Sequence, residues 1–334
     1  MSRLLAPGWR SALLALIVFL VLPDFPSALR SVVPITETWV LLAGALAVCA
    51  ALGWWNGGGV TLAIAAVLLA WYAAMAPVGP GPGEYRMLVH GWTLLMAGSF
   101  GLASLLTPGE RFLTRALSAV GIAIVVAFAV AISTHNGVAS VNSVMKTEYD
   151  RRTAETISAV DQMAQAPVWR RAAERSPSLD SMITSNETDL RQIGDRAPRT
   201  VPAILALESL LALAMAWVIY HRVASARLGP PFSAVKDFRF NDQLVWGLAV
   251  GATIFFLPVF ADGKSAGLNL LVFFGALYLL RGVGVLSFMT RSKWAAILLI
   301  VMTVFAPLML GALALGVGVG DTWIDWRTRA QADT

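Results

Sequence analysis

The sequence has little charge for its length. Charged residues make up 13% of the 334 residues and hydrophobic residues 57%, whereas soluble proteins average about 25% charged and roughly 45 to 50% apolar residues. Apolar runs of about 20 residues recur along the chain, and each needs lipid or another helix around it. The composition therefore excludes a pair of soluble domains and indicates a membrane protein with several spans.

Cysteine and catalytic motifs are also scarce. The single cysteine, Cys49, lies in an apolar run, which excludes an internal disulfide and a multi-cysteine metal site. The sequence contains no nucleotide-binding Gly-x-x-x-x-Gly-Lys loop, no Gly-x-Ser-x-Gly elbow and no His-Glu-x-x-His zinc motif. We therefore expect a non-enzymatic protein without catalytic residues, metal ligands or a cofactor.

The net charge of +5 does not indicate nucleic acid, because the basic residues are spread over short loops beside apolar runs, where they usually orient a membrane protein. With the N-terminus inside, the short loops carry ten Lys and Arg residues on the cytoplasmic side and five on the other. This difference predicts that residues 134–200 and the C-terminus lie outside the bacterial cytoplasmic (inner) membrane. The cytoplasmic set is Arg3, Arg10, Arg111, Arg115, Arg222, Arg227, Lys236, Arg239, Arg291 and Lys293, and the other set is Arg30, Arg86, Lys264, Arg327 and Arg329.

The apolar runs and their proline and glycine stops predict an all-α polytopic protein of about nine transmembrane helices. Residues 1–133 hold the first five, residues 134–200 form an extracytoplasmic insertion, and residues 201–334 hold the last four with a basic cytoplasmic loop at 221–242. The predicted spans are Trp9 to Leu22, Trp39 to Trp55, Val60 to Ala76, Tyr85 to Leu106, Arg111 to Ser133, Val201 to Tyr220, Leu244 to Phe260, Gly267 to Phe288 and Trp294 to Gly318.

The insertion shows two amphipathic patterns separated by prolines. Apolar residues recur at steps of three and four, which is typical of a helix with one buried face. We expect a helical hairpin over the mouth of the bundle, since the apolar stripe is too thin to bury a core of its own; a separately folded catalytic domain is the alternative. The first stripe is Val141, Met145, Tyr149, Ile157, Val160 and Ala164, and the second is Leu179, Met182, Ile183, Leu190 and Ile193.

Two apolar spans carry a charge far from their ends. Arg281 lies in the eighth span and Glu208 in the sixth, and a charge at such a depth costs about 2.5 to 3.5 kcal/mol unless it faces protein or water. Their predicted depths differ by about 10 Å, which two long side chains and some tilt could nearly close. We therefore predict that Arg281 and Glu208 line a polar cavity for a small ligand, with Asn269 and Ser209 as further contacts. The alternative is a structural ion pair, or two side chains that reach separately toward opposite faces.

The loop after the sixth span is basic and interleaved with phenylalanine. Arg222, Arg227, Lys236 and Arg239 resemble a nucleic-acid patch, but attraction to anionic lipid, worth about 1 kcal/mol per basic residue, explains the same pattern. We expect contact with membrane lipids and no nucleic acid. Docking of a protein partner is the alternative.

From Thr200 onward the chain combines an Arg-Leu-Gly-Pro-Pro-Phe loop at 227–232, the stretch Phe238-Arg-Phe-Asn-Asp-Gln-Leu-Val-Trp246 and Tyr278-Leu-Leu-Arg-Gly282. This order resembles the YybS-like family of bacterial multi-pass membrane proteins, whose function is unknown. Arg281 stands where that family leads us to expect a glutamine. The resemblance implies a membrane domain distantly similar to the substrate-binding components of energy-coupling-factor vitamin transporters, which is a likeness of fold.

Two hypotheses of function follow. The first is a non-enzymatic component of a transport system that binds a small solute or lipid between the sixth and eighth helices. The second is a structural or assembly scaffold that holds membrane or envelope proteins through its insertion and basic loop.

Overall fold

The computed structural model describes residues 9–21, 23, 30, 32–76, 83–166, 188, 190–192, 196–232, 238–289, 302 and 306–332. All regular secondary structure in these ranges is helical. The chain divides into two compact units, Met1–Pro231 and Phe232–Thr334. Unit 1 contains α1 (Trp9–Val21), α2 (Thr38–Trp55), α3 (Val60–Met75), α4 (Gly83–Leu106), α5 (Phe112–Ser133), α6 (Gly137–Gln165) and α7 (Val201–Val223), and unit 2 contains α8 (Val245–Phe256), α9 (Lys264–Met289), α10 (Pro307–Ile324) and α11 (Trp326–Ala332).

Five helical segments are long and apolar enough to cross a membrane, which confirms the prediction of an all-α polytopic protein. Three shorter apolar helices are α3, α8 and the segment Leu308–Ile324. The first predicted span is a helix of 13 residues, which is only about 20 Å long. Part of the ninth span lies outside the described residues, and the total of nine stays a prediction. The five segments are Thr38–Trp55, Gly83–Leu106, Phe112–Ser133, Ala197–Val223 and Pro258–Met289.

The seventh predicted span was too long at its C-terminal end. The helix ends at Phe256, and Pro258 opens a short 3-10 helix, Pro258–Gly263, which leads directly into α9. Proline has no backbone N–H to continue the α-helical ladder, so an apolar composition alone could not carry α8 to Phe260.

Small residues let the helices of unit 1 approach closely. α2 packs against α3, α4 and α7, and α5 packs against α4, α6 and α7. Ala116, Ala119, Ala123 and Ala216 are fully buried, as is Cys49. Close backbone packing of this kind is how helices associate in lipid, where apolar side chains gain little by leaving the hydrocarbon.

In unit 2, α9 packs against both α8 and α10. A Cβ atom on Gly282 would lie 1.7 Å from the carbonyl oxygen of Ala314, and one on Gly318 would lie 1.9 Å from that of Tyr278. Only glycine fits at these two positions, where the backbones of α9 and α10 nearly touch.

The described part of the insertion is one long helix. α6 has 29 residues, about 43 Å, and packs against α4, α5 and the 3-10 turn Ala197–Thr200. Of the first predicted stripe, Met145, Tyr149 and Ile157 are buried and Val141 is exposed. The charged residues Glu148 and Arg152, which were not predicted, are buried as well. Of the second predicted stripe, Leu190 is buried, and Leu179, Met182, Ile183 and Ile193 lie outside the described residues.

The predicted domains, residues 1–133, 134–200 and 201–334, stay a prediction, and the compact units divide the chain at another place. The predicted boundary at residue 200 followed the end of the polar insertion, whereas the units divide after Pro231. α7 belongs to unit 1 because it packs against α2 and α5 there.

Candidate functional site

Glu208 and Ser209 lie side by side on α7 in unit 1. Glu208 is 8% exposed; its Oε2 accepts a hydrogen bond from the backbone N–H of Ile35 at 3.3 Å, and its Oε1 is buried without a hydrogen-bond partner. Ser209 Oγ accepts from Trp92 Nε1 at 2.8 Å and donates to the carbonyl of Leu205 at 2.7 Å. Glu208 therefore keeps an open acceptor, whereas the hydroxyl of Ser209 is already used on both sides.

The space beside Ser209 is small. A void lined by Ser209, Thr93 and apolar side chains of α2, α4 and α7 measures about 10 Å³. A void of that size holds one water molecule at most. A solute-sized chamber is therefore not formed at this point by the described residues of unit 1.

Glu208 contacts the segment of residues 33–35, and a buried ion pair of α6 contacts the same segment. Arg152 and Glu148 are 0% and 1% exposed, and Arg152 Nε donates to Glu148 Oε1 at 2.7 Å. Arg152 Nη1 also donates to the carbonyl of Val33 at 2.8 Å, and Nη2 donates to the Tyr85 hydroxyl at 2.6 Å. Residues 33–35 are thus held by Arg152 through the carbonyls of Val33 and Pro34 and by Glu208 through the N–H of Ile35.

Burial alone would raise the pKa of Glu148, since it disfavours the carboxylate. Hydrogen bonds from Arg151 and the charge and hydrogen bonds of Arg152 outweigh burial, and the pKa of Glu148 lies below its usual value. Beside it, burial raises the pKa of Tyr149, whose hydroxyl donates to the carbonyl of Val32 at 3.2 Å. The pair stays ionised at neutral pH, and its role is to fix α6 on the bundle.

Arg281 lies in unit 2 and has two carboxylates there. Its Nε donates to Asp321 Oδ2 at 2.9 Å, and its Nη1 donates to Asp242 Oδ1 at 2.5 Å. The guanidinium stacks over the ring of Phe240 at 5.4 Å, and Arg327 donates to the carbonyl of Arg281 at 3.4 Å. The charge of Arg281 is therefore neutralised without Glu208. This arrangement fits the alternative in which Arg281 forms a structural ion pair.

The sequence analysis missed both carboxylates. The ninth span was ended at Gly318, yet α10 continues past Asp321, which is 2% exposed. Asp242 lies inside the Phe238 to Trp246 stretch quoted for the family resemblance. The usable signal was that an acidic residue follows directly on an apolar run rich in glycine.

Asn269 lies apart from Arg281 on the same helix. The two are 12 residues apart, about 18 Å along α9, and Asn269 Nδ2 donates to the carbonyl of Ser265 at 2.7 Å. Of the four predicted ligand residues, the structure brings together Glu208 and Ser209, and it does not bring together Asn269 and Arg281.

A groove of ligand size runs along α6. Its volume is about 550 Å³, within the range of roughly 300 to 1,000 Å³ typical of small-molecule sites. Thr153 is 8% exposed, and its Oγ1 is buried without a hydrogen-bond partner. The signal for this groove was a row of small and polar residues at helical spacing. The lining residues are Asp150, Thr153, Ala154, Ile157, Ser158, Asp161 and Arg191.

The predicted basic loop is only partly described. Arg222 and Arg227 are exposed at the end of unit 1, and Lys236 lies outside the described residues. In unit 2, Arg239 pairs with Asp325 at 2.5 Å, with both side chains nearly half exposed. Among the described residues, no group of three or more His, Cys, Asp and Glu side chains is placed to hold a metal ion.

Comparison with known proteins identifies a family of membrane proteins. No curated protein and no solved structure matches the chain. The family model matches residues 85–322, more than half of the chain, which is consistent with the YybS-like resemblance and extends it well before Thr200. The chain belongs to the family described as "Predicted membrane protein (DUF2232)".

Proposed function

We propose that this protein is a non-enzymatic binding component of a transport system, which captures a small polar solute in the groove along α6. The groove is the observation that supports this proposal. It has the size of a ligand site, it is lined by carboxylate and hydroxyl groups, and it contains the buried Thr153 Oγ1 without a hydrogen-bond partner. The protein has five helical segments that are long and apolar enough to cross a membrane, and these would hold the site at the membrane.

The groove chemistry favours a solute with a cationic group. Asp150 faces Lys146 at 3.6 Å, whereas Asp161 makes no ion pair with the described part of the chain. A solute ammonium group at Asp161 would gain a charge-assisted hydrogen bond, and the Thr153 hydroxyl would complete its contacts. Arg191 lines the same groove.

The way α6 is attached to the bundle supports a binding role for the groove. The groove residues lie on one side of α6, and the buried pair Glu148 and Arg152 lies on the side that faces the bundle. A helix fixed through a buried ion pair holds its outer face in one orientation, which lowers the entropy lost on binding. By the count of basic loop residues, this face points outward from the bacterial cytoplasmic membrane.

Glu208 does not line the groove. We keep it as a separate candidate contact for the solute, inside the helix bundle. Of the four ligand residues predicted from the sequence, it is the one whose side chain keeps a buried oxygen without a hydrogen-bond partner. An ionisable residue at this depth is a functional candidate by default. We assign Arg281 a structural role in unit 2.

The test is solute-dependent thermal stabilisation of the purified full chain in detergent. A panel of amino acids, polyamines, polyols and organic acids is screened against the native chain, Asp161→Asn and Thr153→Val. A solute at 100 times its Kd adds about 2.7 kcal/mol to stability. We expect an amine-bearing solute to stabilise the native chain and to lose this effect in both variants.

Asp262→Asn is the matched control, because it removes one exposed carboxylate in unit 2. This variant should keep the full response. A solute response that both groove variants retain would contradict the proposal, as would a panel without any response.

The second candidate is an assembly scaffold. It is favoured by the length of α6 and by exposed Arg222 and Arg227, which suit anionic lipid or an acidic partner segment. Deletion of residues 141–195 would then remove a specific membrane or envelope partner in a pull-down, while Asp161→Asn would leave that partner bound.

A further inference from the structure

A buried cation lies at the end of unit 1 opposite α6. Arg115, in the first turns of α5, is 3% exposed, although the sequence analysis counted it as a loop residue. Its Nη1 donates to the carbonyl of Leu228 at 2.9 Å, and its Nε is buried without a hydrogen-bond partner. Among the described residues no carboxylate forms an ion pair with it, and the exposed Glu110 acts only at longer range. A buried charge without a counter-charge is costly, so an anion bound to Arg115 would stabilise it.

Trp217, which packs against Arg115, and His221, which packs against Trp217, each have a buried ring nitrogen without a hydrogen-bond partner. Trp217 is fully buried, its ring lies 5.7 Å from the guanidinium, and its indole Nε1 has no acceptor. The ring of His221 lies 4.5 Å from that of Trp217; its Nδ1 contacts the carbonyl of Trp217 at 2.9 Å, and its Nε2 is buried without a partner. The indole N–H and the Arg115 Nε–H are obligate donors, so an acceptor with several oxygens would satisfy them together.

The backbone adds to the positive potential. Arg115 is the fourth residue of the 22-residue α5, and the N-terminus of a helix favours negative charge and disfavours a cation. The loop that covers the cluster comes close at Gly229, where a Cβ would lie 3.5 Å from Arg115 Nη2 and 3.4 Å from the Trp217 ring. Exposed Arg227 lies next in sequence to Leu228, whose carbonyl binds Arg115, and raises the local concentration of anions.

We propose that Arg115, Trp217 and the N-terminus of α5 form a binding site for a phosphate group, supplied by an anionic lipid headgroup or by free inorganic phosphate. The phosphate oxygens would accept from Arg115 Nε and Trp217 Nε1. Phosphate fits because it offers several acceptors at once to a cation and neutral donors. The site shares no residue with the groove along α6.

The experiment uses the full chain with Arg115→Gln and Trp217→Phe. Arg111→Gln is the matched control, since it removes an exposed guanidinium four residues earlier. In the lipid arm, native mass spectrometry measures phosphatidylglycerol retained from nanodiscs of mixed phosphatidylcholine and phosphatidylglycerol. In the phosphate arm, the melting temperature is followed against inorganic phosphate, with chloride at equal ionic strength, in nanodiscs of phosphatidylcholine alone.

We expect one arm to show saturable binding to the native chain that weakens at least tenfold in both site variants and stays within about twofold in Arg111→Gln. Binding in the lipid arm alone identifies a headgroup, and binding in the phosphate arm identifies the free anion. Trp217→Phe keeps the packed ring and the charge, so it decides the matter if Arg115→Gln fails to fold. Equal weakening by Arg111→Gln would show surface charge only, and that result, or binding in neither arm, would overturn the proposal.

Discussion

Removal of Asp321 tests whether the buried cluster of unit 2 is structural. Arg281 and Asp321 are 3% and 2% exposed and are joined by a 2.9 Å hydrogen bond. Asp321→Ala leaves the guanidinium buried with Asp242 as its remaining carboxylate, and the side chain of Asp242 is 59% exposed. Breaking a buried pair by removing one partner costs about 3 to 5 kcal/mol. Because Asp242 retains part of the neutralisation, we expect a loss near the lower end of that range.

A double-mutant cycle separates the pair from the packing around it. Arg281→Met removes the charge that Asp321 neutralises, and the combined Arg281→Met/Asp321→Leu chain replaces the pair with apolar side chains of similar volume. Such replacements are often neutral or stabilising, while either single change leaves one charge uncompensated. We expect the double variant to lose at least about 2 kcal/mol less than the sum of the two single variants.

The same unit provides a matched exposed pair, Arg239 and Asp325, at 2.5 Å. Exposed pairs are worth about 0.2 to 1 kcal/mol, so Arg239→Gln should change stability little. Unfolding is followed in mixed micelles by titration with a denaturing detergent, with Trp323 and Trp326 as nearby fluorophores. A structural role for the buried cluster is contradicted if Asp321→Ala destabilises the protein no more than Arg239→Gln does.

Three further predictions follow from the described contacts. The pKa of Glu148 is lower in the folded chain than its unfolded value of about 4.3. Its carboxylate therefore stabilises the fold above about pH 4.3, and this stabilisation is lost as the pH falls through the folded pKa. Acid should thus lower the melting temperature of the native chain more than that of Glu148→Gln. Gly318→Ala should destabilise unit 2 by forcing α9 and α10 apart, whereas Gly316→Ala, whose Cβ meets no atom within 4 Å, should be neutral or gain up to about 1 kcal/mol in a detergent-unfolding assay. Glu208→Leu should insert normally in a membrane-fraction assay yet weaken solute retention, and unchanged retention would remove Glu208 from the proposed binding role.

Apolar length and proline or glycine stops predicted most helices of unit 1 to within two residues. α2 and α4 begin one and two residues before the predicted Trp39 and Tyr85. The method failed where an apolar run continued through a backbone break, as at Pro258, since hydropathy does not record the lost N–H. On α6 the apolar spacing predicted the buried Met145, Tyr149 and Ile157. It missed Glu148 and Arg152, because a search for apolar residues at helical spacing passes over charged residues that are buried as a pair.

The partner of a deep charge was the hardest feature to predict. Glu208 was predicted as the partner of Arg281 because both charges lie inside apolar runs. An arginine side chain reaches several ångströms, so carboxylates near the ends of neighbouring helices also serve, and Asp242 and Asp321 are of that kind. Sequence spacing shows how deep a residue lies, but it does not show which helix end its side chain meets.

Neutralisation by an ion pair separates structural charges from candidate binding residues in this protein. Arg281 and Arg152 each combine a short contact to a carboxylate with further partners, so their buried charge is neutralised within the fold. Arg115 and Glu208 are buried to a similar degree, yet each keeps a side-chain polar atom without a partner. Asp321 also keeps one buried oxygen, Oδ1, without a hydrogen-bond partner, but its other oxygen is paired with Arg281. An unpaired buried group costs about 1 to 3 kcal/mol or more when charged, and a ligand that pairs it recovers that energy as affinity. The charges worth testing for ligands are therefore Arg115 and Glu208, and the deepest arginine in the sequence, Arg281, is the one whose removal should chiefly change stability.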